Sequence, residues 1–407
     1  MKKIALLFIS AALVLSLCSC SGNVAIQSDN GGNNVSTKDS KNSSDISISA
    51  QSAESSNDNT DESSTVSIDE CDINAADIVY DGENSRPPLT VSLSGKQLVE
   101  NTDYTLSWDN ETNVGKHQLT VTMKGSYSGS ETVDYYILPP ASEITDTSSK
   151  VSSITINWNE VPDVDGYIIR YSEDKSLPED NTKTAETKET SLTLENLPEN
   201  STYYFNVSTT KNIADETLVS EPGVVNEAST KKIEVIDGVT YIDGVLIANK
   251  TYSLPESFGD GLDEKTLDAF NTMAADALND GISLWITSGF RSYETQSYTY
   301  QSFVYDRGVE EADRASARPG HSEHQTGLAI DVNTTSSAFE GTAEAIWLEE
   351  HCVKYGFIIR YPNGKEDITG YKYEPWHIRY VGKEKAAEIA ASGLTIEEYY
   401  GITSHYS

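Results

Sequence analysis

Basic residues are in short supply in this 407-residue chain. There are 29 lysines and arginines against 64 aspartates and glutamates, a net charge of −35. Nucleic acids and anionic membrane surfaces are gripped by basic patches, so this balance argues against a nucleic-acid partner. Cysteine is scarce as well, with four residues: Cys18, Cys20, Cys71 and Cys352. Two fall in the first twenty positions, and the other two lie in segments of different character. That excludes a disulfide framework and a cysteine-based zinc site. Long apolar runs are missing except at the start, where Ile4 to Leu17 follows Lys2 and Lys3. A positive start, a short apolar run and small residues make the layout of a secretory signal, too short for a transmembrane helix.

The run ends in Leu17-Cys18-Ser19-Cys20. This resembles the lipobox of bacterial lipoproteins. The resemblance implies that residues 1–20 carry the signal and that Cys20 becomes the lipidated first residue, an anchor that does not span the bilayer. The plainer alternative is an ordinary cleaved signal. Residues 21–70 are Ser, Asn, Asp, Thr and Gly with few large apolar side chains, too little to offset the entropy of ordering. They read as a disordered linker.

At this length two to four domains are expected. Residues 71–140 alternate in short runs (LTVSLSG, YTLSW, HQLTVTMKG, VDYYIL) separated by turn residues, an all-β signature. Tyr80, Gly82, Asp103, Tyr104, Asn113, Gly115, Gly125, Tyr127 and Gly129 resemble an Ig-like repeat of Gram-positive surface proteins. Residues 141–232 carry ITINWNEVPDVDGYIIRY and then LTLENLPENSTYYFNV. These resemble a fibronectin type III sandwich, with Trp158 and the corner from Leu197 to Tyr203 as core marks. Neither segment clusters ligand-type side chains, so both read as spacers or wall-contact modules. His117 reads as a surface or hairpin residue.

Residues 233–407 change character again. Leu262, Leu267, Phe270, Met273, Ala274 and Ala277 recur at helical spacing, with Asp260 or Asp263 as cap and Gly281 as stop. SLWITSGF reads as a strand, YETQSYTYQSFVYDRG as a helix, LAIDVN as a strand, and AEAIWLEEHCVKYG as a helix closed by Gly356. FIIRYP and WHIRYV are further strands. The expected architecture is therefore multidomain: two all-β sandwich domains followed by a small α+β domain large enough to bury its own core.

The chain has six histidines: His117, His321, His324, His351, His377 and His405. Two sit in paired short stretches, SEHQTGLAID (His324, Asp331) and EPWH (Glu374, His377). Two imidazoles and a carboxylate suit a catalytic zinc, which takes three protein ligands and keeps one position open. Glu374, held off by Pro375, suits a proton carrier beside the metal. Spacing alone leaves chance coincidence equally open.

The residues Ser322, His324, Gly327, Ala329 and Asp331, then Glu374, Trp376 and His377, resemble the paired SxHxxGxAxD and ExWH motifs of VanY-type D-alanyl-D-alanine carboxypeptidases. Ser288 to Gln296 and Gly244 to Pro255 are similar to the same family's flanking segments, as is Arg360 to Pro362. The resemblance implies a fold shared with lysostaphin-type peptidases and hedgehog domains. It implies zinc on His324, Asp331 and His377, Glu374 as general base and acid, and Arg291 as the substrate-binding arginine. A guanidinium suits a terminal carboxylate or a developing oxyanion. Ser322, Gln296 and Tyr361 are candidate peptide contacts, and His321 a non-ligand. Trp376 either orients the site from beneath or is a plain core residue. His351 reads as structural or exposed, and Cys352 as a buried helix residue.

The expected substrate is a peptidoglycan stem peptide ending in D-Ala-D-Ala, cut by a lipid-anchored monomer on the outer face of a Gram-positive membrane. Alternatives are an L,D-carboxypeptidase acting on tetrapeptide stems, a non-catalytic zinc-binding wall adhesin, and adhesion through the β modules.

Overall fold

The computed structural model describes residues 65–406, apart from 84–85, 109–111 and 215. The signal, Cys20 and most of the linker lie outside them. Among the described residues no helix is long and apolar enough to cross a membrane, and Cys71 and Cys352 are both free thiols.

The chain divides into two compact units. Of the described residues, the first takes in 65–75, 89–108 and 118–133. In it Cys71–Ala75 pairs with Leu89–Leu93, and Tyr104–Trp108 pairs with the C-terminal part of Gly115–Met123, both antiparallel. Alternate residues point inward, and Ile68, Val91, Leu98, Tyr104, Val121 and Met123 form its core.

The second unit holds the rest of the described residues, 76–83, 86–88, 112–117, 134–214 and 216–406. Its β-rich part has two sheets. Ile144–Ser149, Ile154–Trp158 and Ser191–Leu194 form one; Gly166–Ser172 and Thr202–Ile213 are the centre of the other. Trp158, Tyr167, Leu197 and Tyr203 meet between Ile156, Ile169, Phe205 and Val207, so the core marks named from sequence are in the core. His117 corrects the sequence reading. It is 2% exposed, its Nε2 lies 2.8 Å from the Asn113 carbonyl oxygen, and its ring sits 5.6 Å from that of Tyr135. It occupies an inward position of an alternating strand, where the pleat direction overrides polarity.

The α+β part opens with a three-stranded meander, Ile233–Ile236, Val239–Ile242 and Val245–Ile247. Next comes α1, Glu264–Asn279. Asp263 caps it by accepting from the Thr266 N–H, and Gly281 follows the end at φ +80°. Thr266, Phe270, Met273 and Ala277 are its buried face. Leu267, expected inside, is 36% exposed, because it sits one position off that stripe. α2 (Tyr293–Arg307) is capped by Ser292, and α3 (Val309–Ala315) follows at once.

A four-stranded antiparallel sheet forms the centre, in the order Ile286–Ser288, Ala329–Val332, Glu374–Tyr380, Phe357–Tyr361. The first strand is shorter than SLWITSGF suggested, and Trp285 before it is 52% exposed. The third begins at Glu374, ahead of the WHIRYV start read from sequence. Ile330, Val332, Phe357 and Ile378 are fully buried between this sheet and α1, α4 (Ala343–His351) and the turn Cys352–Tyr355. Each such side chain contributes about 1.5–3 kcal/mol of burial. Cys352 belongs to this core, where burial pushes its thiol up to about 12.

Candidate metal centre

His324 lies in a short 3-10 turn, Glu323–Thr326, which Gly327 closes at φ +70°. A Cβ on Gly327 would stand 2.4 Å from the Gly261 carbonyl oxygen, so both the backbone angle and the space demand glycine. Gln325 ties the turn down by donating its amide N–H to the Pro255 and Phe258 carbonyls. Nδ1 of His324 is 2.7 Å from the Gly289 carbonyl oxygen and donates to it. That puts a proton on Nδ1 and turns Nε2 toward the triad, 3.1 Å from Asp331 Oδ2.

Asp331 and His377 are register partners on neighbouring antiparallel strands. Directly opposed residues put their side chains on the same face of a sheet. Nδ1 of His377 is 3.2 Å from Asp331 Oδ1, and the two imidazole rings lie 5.0 Å apart at 74°. One ligand atom from each of His324, Asp331 and His377 can be chosen so that all lie within 4.8 Å of one another.

The residues fit a divalent cation. Asp331 Oδ1 is buried and lacks a hydrogen-bond partner although His377 Nδ1 is close. Burial favours neutral groups here, yet the His324 and His377 rings hold the Asp331 carboxyl well below the usual range. Burial would likewise lower His377, but Asp331 and Glu323 overcome it and raise the imidazole to about 9. The field at the triad thus favours positive charge. Three N/O donors with carboxylate help are a zinc set.

Glu374, three residues before His377 on the same strand, has Oε2 3.6 Å from His377 Nδ1. Burial pushes its carboxyl up to about 7; Asp331 adds to this, and His377 and Arg291 oppose it. A carboxyl poised near neutrality can both take and return a proton. Arg291 sits across the site. Its backbone N–H bonds the His324 carbonyl at 3.1 Å, and its guanidinium donates to Gln296 Oε1 at 2.9 Å and Ser288 Oγ at 3.0 Å. Burial lowers its pKa against the pull of Asp331 and Glu374.

The triad opens on a cleft of about 540 Å³, lined among others by Arg291, Phe303, Ser322, Tyr361, Tyr373 and Trp376. Volumes of this order hold small ligands. Tyr361 also packs on the metal-facing histidine, 4.9 Å from the His377 ring. Gln296, read from sequence as a peptide contact, also lines the cleft. It is fully buried, with Nε2 committed to Ser316 Oγ and the Ala317 carbonyl and Oε1 to Arg291. Its amide braces the arginine. Trp376 belongs to the main core cluster. His321 bonds the Asn249 carbonyl and His351 stacks on Trp347, both outside the triad.

Sequence reasoning missed Glu323, Arg360, Arg379 and Glu397. All four are almost completely buried and joined by short ion pairs. Charged residues are read from sequence as surface, and nothing local marks these as an exception.

A buried two-histidine, one-carboxylate triad beside a neutral-range glutamate and a braced arginine defines a metal-dependent hydrolase. Residues 259–383 match the VanY family, described as D-alanyl-D-alanine carboxypeptidase. Residues 138–223 match the fibronectin type III domain. The chain is 39% identical over 196 residues to the putative carboxypeptidase YodJ of Bacillus subtilis, covering 42% of this chain and 72% of that one. It is 43% identical over 131 residues to a D-alanyl-D-alanine carboxypeptidase of Enterococcus faecium, covering 32% of this chain and 41% of that one. A solved structure of the LdcB LD-carboxypeptidase is 43% identical, covering 43% of this chain and 98% of that one, with a TM-score of 0.41. The chain belongs to the VanY family of carboxypeptidases. It is a multidomain member, with a fibronectin-type β region ahead of the peptidase domain.

Proposed function

We propose that this chain is a zinc-dependent D-alanyl-D-alanine carboxypeptidase that removes the terminal D-alanine from peptidoglycan stem peptides. The observation that carries the reading is the cross-strand pairing of Asp331 with His377, with His324 Nε2 closing the triad at 3.1 Å from Asp331.

His324, Asp331 and His377 hold the metal. Zinc bound there supplies Lewis acidity and lowers the pKa of water toward ~7. Glu374 takes the proton as water attacks the scissile carbonyl and returns it to the departing amine. Arg291, held in place by Gln296 and Ser288, binds either the terminal carboxylate or the developing oxyanion. Ser322 and Tyr361 line the cleft within reach of the peptide.

The rest of the chain serves delivery. Lipidated Cys20 anchors it to the outer face of the membrane. Residues 21–70 form the tether. The β regions, residues 71–140 as an Ig-like sandwich and 141–232 as a fibronectin type III sandwich, hold the monomeric peptidase out in the wall. Cys20→Ser tests the anchor: the variant should be found in the medium and the wild type in the membrane fraction.

The activity test incubates the purified, zinc-loaded protein with a muramyl pentapeptide and a muramyl tetrapeptide and follows the products by mass. Loss of one D-alanine from the pentapeptide, absent with Glu374→Gln, is the expected result. Cleavage of the tetrapeptide alone would move the specificity to the L,D class. No cleavage of either by zinc-bound protein would point to a binding protein.

A further inference from the structure

Glu323 stands next to His324 in the chain, and its side chain is buried, 2% exposed. Its Oε1 accepts from Arg360 Nε and from an Arg379 terminal nitrogen, each at 2.7 Å. The other donors of the two arginines are also committed. Arg360 makes a two-point contact with Glu397 at 2.9 and 2.6 Å. Arg379 reaches the Leu246 and Tyr380 carbonyls at 2.6 and 3.2 Å. Two carboxylates and two guanidiniums therefore balance in charge, and three of the four carboxylate oxygens are bonded to arginine.

The fourth, Glu323 Oε2, has no hydrogen-bond partner. A buried orphan oxygen of this kind calls for an explanation. It lies 3.5 Å from His377 Nε2, about 0.5 Å beyond an ordinary N–H···O bond. His377 Nε2 is buried and lacks a partner as well. The opposite ring nitrogen, Nδ1, is the one that faces Asp331 and Glu374. One imidazole thus has a carboxylate on either side, one belonging to the triad and one to the interior network.

We propose that Glu323 is a positioning residue for His377: it keeps the ring proton on Nε2 and the ring in place, so that the Nδ1 lone pair is presented at the triad. Resting on the metal reading above, this gives the buried network a role at the site. The two arginines hold Glu323 rigidly as an anion, and Glu323 transmits that rigidity to a metal ligand. The neighbouring ligand uses a weaker device, the Gly289 carbonyl on His324 Nδ1, so the two histidines are oriented by opposite nitrogens and different acceptors.

The test compares the full chain with Glu323→Gln and Glu397→Gln. Both variants neutralise one carboxylate of the same network, but only Glu323 faces His377. Zinc affinity is read by competition with a chromophoric chelator, and folding by circular dichroism. Glu323→Gln should weaken zinc roughly 10–100-fold, with Glu397→Gln unchanged. Equal weakening in both variants, or none in a folded Glu323→Gln, overturns the proposal. The histidine protonation sites of the zinc-loaded wild type, read by ¹⁵N NMR, give a second arm independent of how the variants fold. A His377 proton on Nε2 supports the proposal, and one on Nδ1 overturns it. A wild type that binds no zinc removes the metal reading and, with it, this inference.

Discussion

Asp331 and His377 are direct partners across two antiparallel strands, and their side chains meet at 3.2 Å on the cleft side of the sheet, opposite the core face of Ile330 and Ile378. Neither strand could present a metal site alone. A slip of one residue in their register would send one of the two side chains to the opposite face. The pairing also fixes Glu374, which precedes His377 on the same strand, at the edge of the cleft.

Glu374→Gln keeps the shape and removes the titrating proton. Turnover of the pentapeptide should fall by roughly 10²–10⁴-fold, the usual worth of a general acid–base. Zinc content should be unchanged, because Glu374 lies outside the triad. Metal analysis alongside steady-state kinetics checks both halves; loss of zinc together with activity would reassign Glu374 as a ligand.

Arg291→Lys preserves charge but loses the fork that reaches Gln296 and Ser288 at once. A lysine cannot reproduce a two-point, planar contact. kcat/KM should drop about 100-fold, corresponding to ~2.7 kcal/mol. Gln296→Leu should give a smaller loss of the same kind, since it leaves the arginine in place without its brace. Wild-type kinetics in Arg291→Lys would remove Arg291 from substrate binding; in Gln296→Leu they would show that the brace is dispensable.

Stability on the acid side should depend on His321. Burial holds its pKa below 6.5, with Arg318 acting in the same direction and the bond to the Asn249 carbonyl opposing both. A folded pKa below the unfolded one means stability is complete above pH 6.5 and is lost as pH falls through the folded value. Melting temperatures from pH 8 to 5 should therefore fall more steeply for the wild type than for His321→Gln. Parallel curves would show that other groups set the acid limb.

Gly327→Ala tests the turn that carries His324. The residue sits at φ +70° with the Gly261 carbonyl where its Cβ would be. Destabilisation of more than ~1 kcal/mol is expected, together with weaker zinc binding, because the turn must shift. Thermal melts with and without zinc separate the two effects; a neutral substitution would mean the turn has slack.

Much of the peptidase domain was legible because its signals are local. The Asp263 cap, the Gly281 and Gly356 stops and the β-branched strand runs act within a few residues of themselves. The two metal motifs were readable for the same reason, as short strings of distinctive chemistry. Less was legible where burial decides. Leu267 looked like a core residue and is exposed, whereas His117 looked like surface and is inside.

By itself the sequence determined the acidic composition, a fibronectin region ahead of the peptidase, the first two helices of that domain and the candidates for the triad. Tertiary structure alone decided that Asp331 and His377 stand in register, that Gln296 is spent on Arg291, and that Glu323, Arg360, Arg379 and Glu397 are buried together. The physical reason is that caps and turns are interactions between near neighbours in the chain. Strand register and charge burial depend instead on groups tens of residues apart, brought together only when the core closes.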